Sequence, residues 1–288
     1  MGPRMVKYFR PLRGGSRPHL MASEEGELYV VKLLGNPQGN RVLANEVLAG
    51  RLGALVGLPV PELHEVELDE QVADQVRTSP FSPVVSTVGP HLASKYPISV
   101  LQGRVYDFIP KDAAFWNLCD IVGAAVFDAW TGNIDDRQFV YWRRSQEKKF
   151  HALLIDNGYC FGGIEWNLQD RPLDPAWNLA HMPELMLLPA DADSLRVNGI
   201  LSDWMNVISR IPAEDILSVL SGVPKEWDAT DSDLKALAEQ LIVRKECLGR
   251  DKVSYDSSPL ESRSHSNKLF PRRNGGFWNS CCGIRQAR

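Results

Sequence analysis

The side chains in this chain equipped for chemistry are a strand lysine, a helix glutamate and two carboxylates beside apolar segments, preceded by a glycine pair. Gly14 and Gly15, in "LRGGSRPHL", stand just ahead of an apolar stretch and are followed by Ser16. Adjacent glycines let backbone N–H groups approach an anion closely, as a loop over phosphates requires. Lys32 lies in "LYVVKLLG" among apolar neighbours, where an ammonium is costly to bury unless an anion meets it. Glu46, in "LANEVLAG", borders an apolar stripe, and an ion pair with Lys32 would fix that amine where it could hold a phosphate. Asp156 ends the apolar run "HALLI" and turns at once into Asn157 and Gly158, a placement suited to holding a hard divalent cation. Asp135, in "TGNIDDRQ", precedes it across two strand-like segments that would bring both carboxylates to one end of a sheet. Taken singly, each feature also has a plain structural explanation: a flexible loop, a snorkelling lysine, a solvated helix charge, an Asp-Gly turn.

The elements that must position these residues follow from periodicity and turn chemistry. "HLMA" and "LYVVKLL", separated by "SEEGE", read as a hairpin. Val42, Leu43, Val47, Leu48, Leu52, Leu55 and Val56 recur at spacings of three and four, which predicts an amphipathic helix ended by Gly57 and Pro59. "LPVPELHEVEL" returns to extended chain. Residues 69–87 are turn-rich and carry no clear element. "GRVYDFIP", residues 103–110, is a short strand or connector. Residues 113–131 read as a buried helix, 137–142 and 150–155 as a strand pair, and 177–248 as helices with a proline and acidic first turns marking their starts. The expected fold class is α+β with two lobes: a strand-rich lobe over 1–109, a mainly helical lobe over 110–250, and a disordered basic tail over 251–288.

Composition narrows the function classes. The chain is 44% hydrophobic and 24% charged with a formal net charge of -4, which places it among globular proteins and argues against a dedicated nucleic-acid binder. Residues 251–288 carry seven Lys or Arg against three Asp or Glu, so the rest of the chain is strongly acidic. No apolar run is long enough for a membrane helix and the amino terminus lacks a signal-peptide core, so the expected location is the cytoplasm. Five cysteines without CxxC spacing suggest neither a disulfide framework nor a zinc site, and Cys119 and Cys160 read as small core residues.

In chain order the features run glycine-rich loop, strand Lys, helix Glu, connector, loop Asp, strand-end Asp. That is the layout of a protein-kinase-like phosphotransferase, whose catalysis is mostly phosphate positioning and charge neutralisation. Residues 8–210 resemble the HipA-like kinases through "RGGSRPHL", "YVVKLLGNPQGNRVLANEVLA", "VGLPVPE", "GPHLASKYP", "FDAWTGNIDDRQFVYW" and "LLIDNGYCFGG". The resemblance implies ATP and Mg2+ as cofactors, with a protein substrate phosphorylated on Ser or Thr. It makes Asp135 the catalytic-loop carboxylate, Arg137 the loop's positive donor and Asp156 the metal-binding carboxylate. Lys32, oriented by Glu46, would contact the phosphates under Gly14, Gly15 and Ser16, and Tyr106, Asp107 and Phe108 would border the adenine. In the toxin-type loop a His stands where this chain has Arg137 and an Asn where it has Val140, so the second metal ligand falls to Gln138 or Asn133. An arginine cannot act as a base. The resemblance also implies autophosphorylation at Ser16. A small-molecule kinase and a nucleotide-binding pseudokinase remain alternatives, no direct nucleic-acid or membrane contact is expected, and a separate regulatory partner is compatible with the sequence.

Overall fold

The computed structural model describes residues 2–79, 87–99, 101–110, 113–169, 171–182 and 194–248. The expected basic tail lies outside them. The architecture is α+β and two-lobed, as the sequence predicts. The first lobe is a five-stranded antiparallel sheet of β1 (Met5–Pro11), β2 (His19–Ser23), β3 (Leu28–Lys32), β4 (Leu63–Val66) and β5 (His91–Lys95), in the order β1-β2-β3-β5-β4. Helix α1 (Arg41–Leu55) packs with this lobe, and a short helix α2 (Glu70–Arg77) fills the stretch that shows no clear element in the sequence. α2 is a capped helix of two turns: Asp69 accepts from the Gln71 amide at 3.0 Å, and Val72, Ala73 and Val76 form a small buried face. Its apolar face is too short to stand out from the flanking polar residues.

β6 (Gly103–Tyr106), β7 (Gln138–Arg144) and β8 (His151–Ile155) form a second antiparallel sheet. The connector is therefore a strand, paired to β7 from Gly103↔Arg144 to Tyr106↔Tyr141. α3 (Leu118–Thr131) starts five residues later than expected, and Phe115 forms a bridge with Phe150 instead. The remaining helices are α4 (Pro175–Ala180), α5 (Ser194–Ser209), α6 (Ala213–Val219) and α7 (Asp231–Leu248). Among the described residues no helix is long and apolar enough to cross a membrane.

The main core joins α1 to the helical lobe: Leu43, Leu48 and Leu52 pack in one cluster with Phe127, Trp130, Leu154 and Trp227. Each such large side chain contributes roughly 1.5–3 kcal/mol on burial. A second cluster lies between the sheets, with Leu12, Leu20 and Val30 on one side and Val105, Val140 and Ile155 on the other. Successive residues of a strand face opposite ways. Phe139 and Tyr141 thus enter the main core while Val140 faces the inter-sheet cluster, on the same side of β7 as Gln138. Cys160 is buried in the main core as expected, and burial pushes its thiol up to about 12. Cys119 is exposed, because the apolar stripe of α3 that begins at Ile121 turns it outward.

His19 and His91 are fully buried in the first lobe. Burial lowers both from 6.5 to about 4, with the neighbouring His91 adding to the shift at His19. Between those values the unfolded chain binds more protons than the folded one, so stability rises with pH across that window. The melting temperature should fall as pH drops from about 6.5 toward 4, and a His19→Asn/His91→Asn double variant should show a shallower fall by calorimetry.

Candidate active site

Lys32, the last residue of β3, directs its ammonium into the space between the lobes. Nζ donates to Glu46 Oε2 at 2.8 Å and to Asp156 Oδ1 at 2.8 Å. The side chains are 6%, 3% and 15% exposed respectively. Burial alone would lower the lysine, but Asp156 and Glu46 outweigh it and hold the amine above its ordinary range, so it stays charged. One ammonium between two carboxylates leaves a formal deficit of positive charge, the condition that favours a cation at the more open carboxylate, Asp156. Asp156 itself sits in the left-handed region at φ 57, a conformation Asp tolerates better than most residues but which still stores strain.

Asp135 reaches the same end of the second sheet by a different route. α3 stops at Gly132, whose φ of 62 makes it a left-handed helix cap. A Cβ there would come within 2.5 Å of Leu168 Cδ2, so both the backbone conformation and the packing favour glycine. Beyond it the loop is fixed to the backbone: the Ile134 amide donates to the Tyr159 carbonyl at 3.2 Å and the Asp135 amide to Asn133 Oδ1 at 3.3 Å. Asp135 Oδ1 accepts from the Asp136 amide at 2.9 Å, while Asp136 is exposed. β7 then begins with Gln138, which pairs with Ile155. The register places the Asp135 loop and Asp156 side by side, as the sequence predicts.

Arg137, expected as the positive donor of the loop, is tied into the interior. Its guanidinium is buried and fork-paired with Asp128 of α3, with Nε to Oδ2 at 2.9 Å and Nη2 to Oδ1. Nη1 donates to Asn157 Oδ1 at 2.7 Å. Asp128, Arg137 and Asn157 thus tie α3, the start of β7 and the residue after Asp156 together. Sequence reasoning missed Asp128, although an aspartate inside the apolar run "AAVFDAWT" was its signal. Arg244 of α7 was also missed. It donates to the Trp130 carbonyl at 2.8 Å, to the Ala129 carbonyl, and to the carbonyls of Leu168 and Arg171 at 2.9 Å each. It therefore satisfies the carboxyl end of α3, from which the Asp135 loop departs.

The glycine turn is packed down. Gly14 lies at φ 141, and a Cβ on Gly15 would come within 2.4 Å of Gln38 Nε2. Asn36 Nδ2 donates to the Ser16 carbonyl at 3.1 Å. Ser16 is buried and its Oγ has no hydrogen-bond partner. Tyr106 packs edge-on to Phe108 and Phe150, and Phe108 is half exposed beside Asp107.

The side chains suit a divalent ion of the magnesium type. Among the described residues no cluster of three or more His, Cys, Asp or Glu is set to hold a metal, and Mg2+ ordinarily takes one or two carboxylates, with phosphate oxygens and waters completing its shell. Asp156 supplies a hard oxygen. Gln138, partly buried on the cleft face of β7, makes no side-chain hydrogen bond among the described residues, whereas the Asn133 amide is folded onto Asp135. Val140 is wholly buried between the sheets.

Lobes of this kind, meeting at a buried Lys–Glu pair with two aspartates at one sheet end, define a kinase-type phosphotransferase. The family model described as HipA-like kinase matches residues 8–156, just over half of the chain, and the chain belongs to that family. No curated protein matches it. Among solved structures, the Helicobacter pylori proinflammatory kinase CtkA aligns at 16% identity with a TM-score of 0.46, over 84% of this chain and 95% of its own. Hydra Fam20 with sugar aligns at 12% identity and 0.48, over 88% of each chain. A chain of the Shewanella oneidensis MR-1 toxin–antitoxin complex of HipA, HipB and operator DNA aligns at 13% identity and 0.45, over 86% of this chain and 66% of its own.

Removing one partner of a buried ion pair strands the other charge. Asp128→Ala should lower the unfolding free energy by about 3–5 kcal/mol in urea titrations. An Asp128→Leu/Arg137→Met double variant should recover much of that loss.

Proposed function

We propose that this kinase transfers the γ-phosphoryl group of ATP, with Mg2+, to a Ser or Thr hydroxyl of a protein partner. The observation that carries this reading is the Lys32 ammonium, held 2.8 Å from both Glu46 and Asp156 at the mouth where the Asp135 loop emerges. Lys32, fixed in direction by Glu46, meets the nucleotide phosphates, and Asp156, with Gln138 beside it, holds the metal. The metal ion supplies charge neutralisation on the transferring phosphoryl group. Asp135 accepts the proton of the attacking hydroxyl, and its exposed loop leaves room for a bulky acceptor. Arg137 is a positioning residue that acts through Asp128 and Asn157. The connector at Tyr106, Asp107 and Phe108 borders the adenine, and the half-exposed Phe108 offers it an apolar face. With Ser16 buried, its phosphorylation requires the glycine turn to lift from Asn36 and Gln38.

A nucleotide-binding pseudokinase is the second reading, favoured by Val140 at the expected second-ligand position and by its burial away from metal reach.

The test is phosphate transfer from labelled ATP to a cell lysate. Asp135→Ala should reduce transfer at least about 100-fold while nucleotide binding survives. Asp136→Ala should stay near wild type, and Asp156→Ala should lose both transfer and metal-dependent binding. Label in phosphoserine or phosphothreonine of protein bands supports the protein acceptor, and label only in acid-soluble products points to a small molecule. A thermal shift with ATP and Mg2+ but no transfer supports the pseudokinase, and full activity of Asp135→Ala overturns the assignment.

A further inference from the structure

We infer that Asn45 is a positioning residue for Asp156, and that the metal dependence of nucleotide binding is set through it. This rests on the phosphotransferase reading above. Asn45 is wholly buried on α1, immediately before Glu46. Its Nδ2 faces three carbonyls of the segment that follows Asp156: Gly158 at 2.8 Å, and Cys160 and Gly163 at 3.2 Å each. Its Oδ1 accepts from the Trp166 indole, which settles which way the amide points.

That segment has no ladder of its own. Phe161, Gly162 and Gly163 all have positive φ, at 64°, 76° and 90°, as does Asp156 before them, so the segment does not follow strand geometry. The Gly163 and Trp166 amides also donate to the Cys160 and Gly163 carbonyls, at 3.2 and 3.4 Å, and the Asn45 amide gathers these two carbonyls with that of Gly158 onto α1. The segment also lies in van der Waals reach of α1: a Cβ on Gly158 would be 3.4 Å from Val42 Cβ and 3.7 Å from Glu46 Oε2. α1 therefore carries Glu46, which directs Lys32, and through Asn45 it also grips the chain two residues past Asp156. The separation of the lysine from the metal-binding carboxylate is fixed by one helix. Arg41 and Arg51 tie the same helix to the helical lobe, Arg41 through the Asp228 carbonyl at 2.7 Å and the Ile164 carbonyl at 3.2 Å, and Arg51 through the Ser221 carbonyl at 2.6 Å, far from residues 157–163 in the chain.

The measurement is the affinity of the full chain for a fluorescent ADP with and without Mg2+, read as the ratio of the two dissociation constants. Asn45→Ala should reduce the Mg2+-induced tightening about tenfold, the usual scale for groups that orient a metal ligand, with metal-free affinity nearly unchanged. Trp166→Phe is the milder variant, since it keeps a ring for the Arg41 guanidinium, which lies 4.9 Å from the indole, and removes the hydrogen bond to Asn45 together with part of the ring's buried volume. It should lower the ratio severalfold and speed deuterium uptake at residues 157–163. Arg51→Ala should leave the ratio unchanged. An unaltered ratio in a folded Trp166→Phe, or an equal loss in Arg51→Ala, overturns the assignment to Asn45. A wild-type chain that binds ADP with no Mg2+ dependence overturns the phosphotransferase reading itself, and the role of Asn45 with it.

Discussion

The arrangement depends on one buried ammonium. Lys32 could not be placed at the end of an apolar strand without compensation, because an unpaired charge removed from water costs far more than a domain's net stability can absorb. The compensation comes from two directions, Glu46 within the first lobe and Asp156 from the second sheet. A charge that needs partners on both sides also holds the two sides in register. The strand-rich lobe is thereby coupled to the carboxylate that would meet a metal, and closure of the cleft and assembly of the site become the same event.

A second buried charge does the matching work below. Arg137 bridges Asp128 and Asn157, so the two loops that bear Asp135 and Asp156 share one anchor. Such a pair gives little net stability compared with apolar packing, but it fixes geometry because any displacement leaves a charge unmatched. The exposed Asp135 thus stands on a rigid base, while its own surroundings stay open to an acceptor. This division between a fixed floor and an accessible carboxylate is the one that positioned catalysis requires.

Much of this was legible in the sequence where burial and charge conflict within a short window. Lys32 among valines and leucines, Glu46 beside an apolar stripe and Asp156 at the end of "HALLI" each break a local rule, and such breaks mark sites that structure must resolve. The strand pair around residue 145 was readable for the same local reasons. What could not be read depends on distant chain. Asp128 meets Arg137 only because Gly132 reverses the helix end. Asn45 finds its carbonyls more than a hundred residues away, and Arg244 finds its own at a similar distance. α2 was hidden because its buried face is three small residues, too few for a periodic signal. Arg137 reads in the sequence only as a positive donor of the loop, and nothing near it in the chain announces that its side chain turns inward to Asp128.

The cap that Arg244 places on α3 has a consequence for how such chains can diverge. The family match ends at residue 156, yet the floor of the loop bearing Asp135 is completed by a residue of the last described helix. The carboxy-terminal helices are therefore not a free appendage on which sequence can drift or modules can be exchanged at will. A graft that joins the motif-bearing half of this chain to the distal helices of a relative would preserve every diagnostic residue and still leave the end of α3 with unanswered carbonyls, unless the donor brings its own arginine to the same spot.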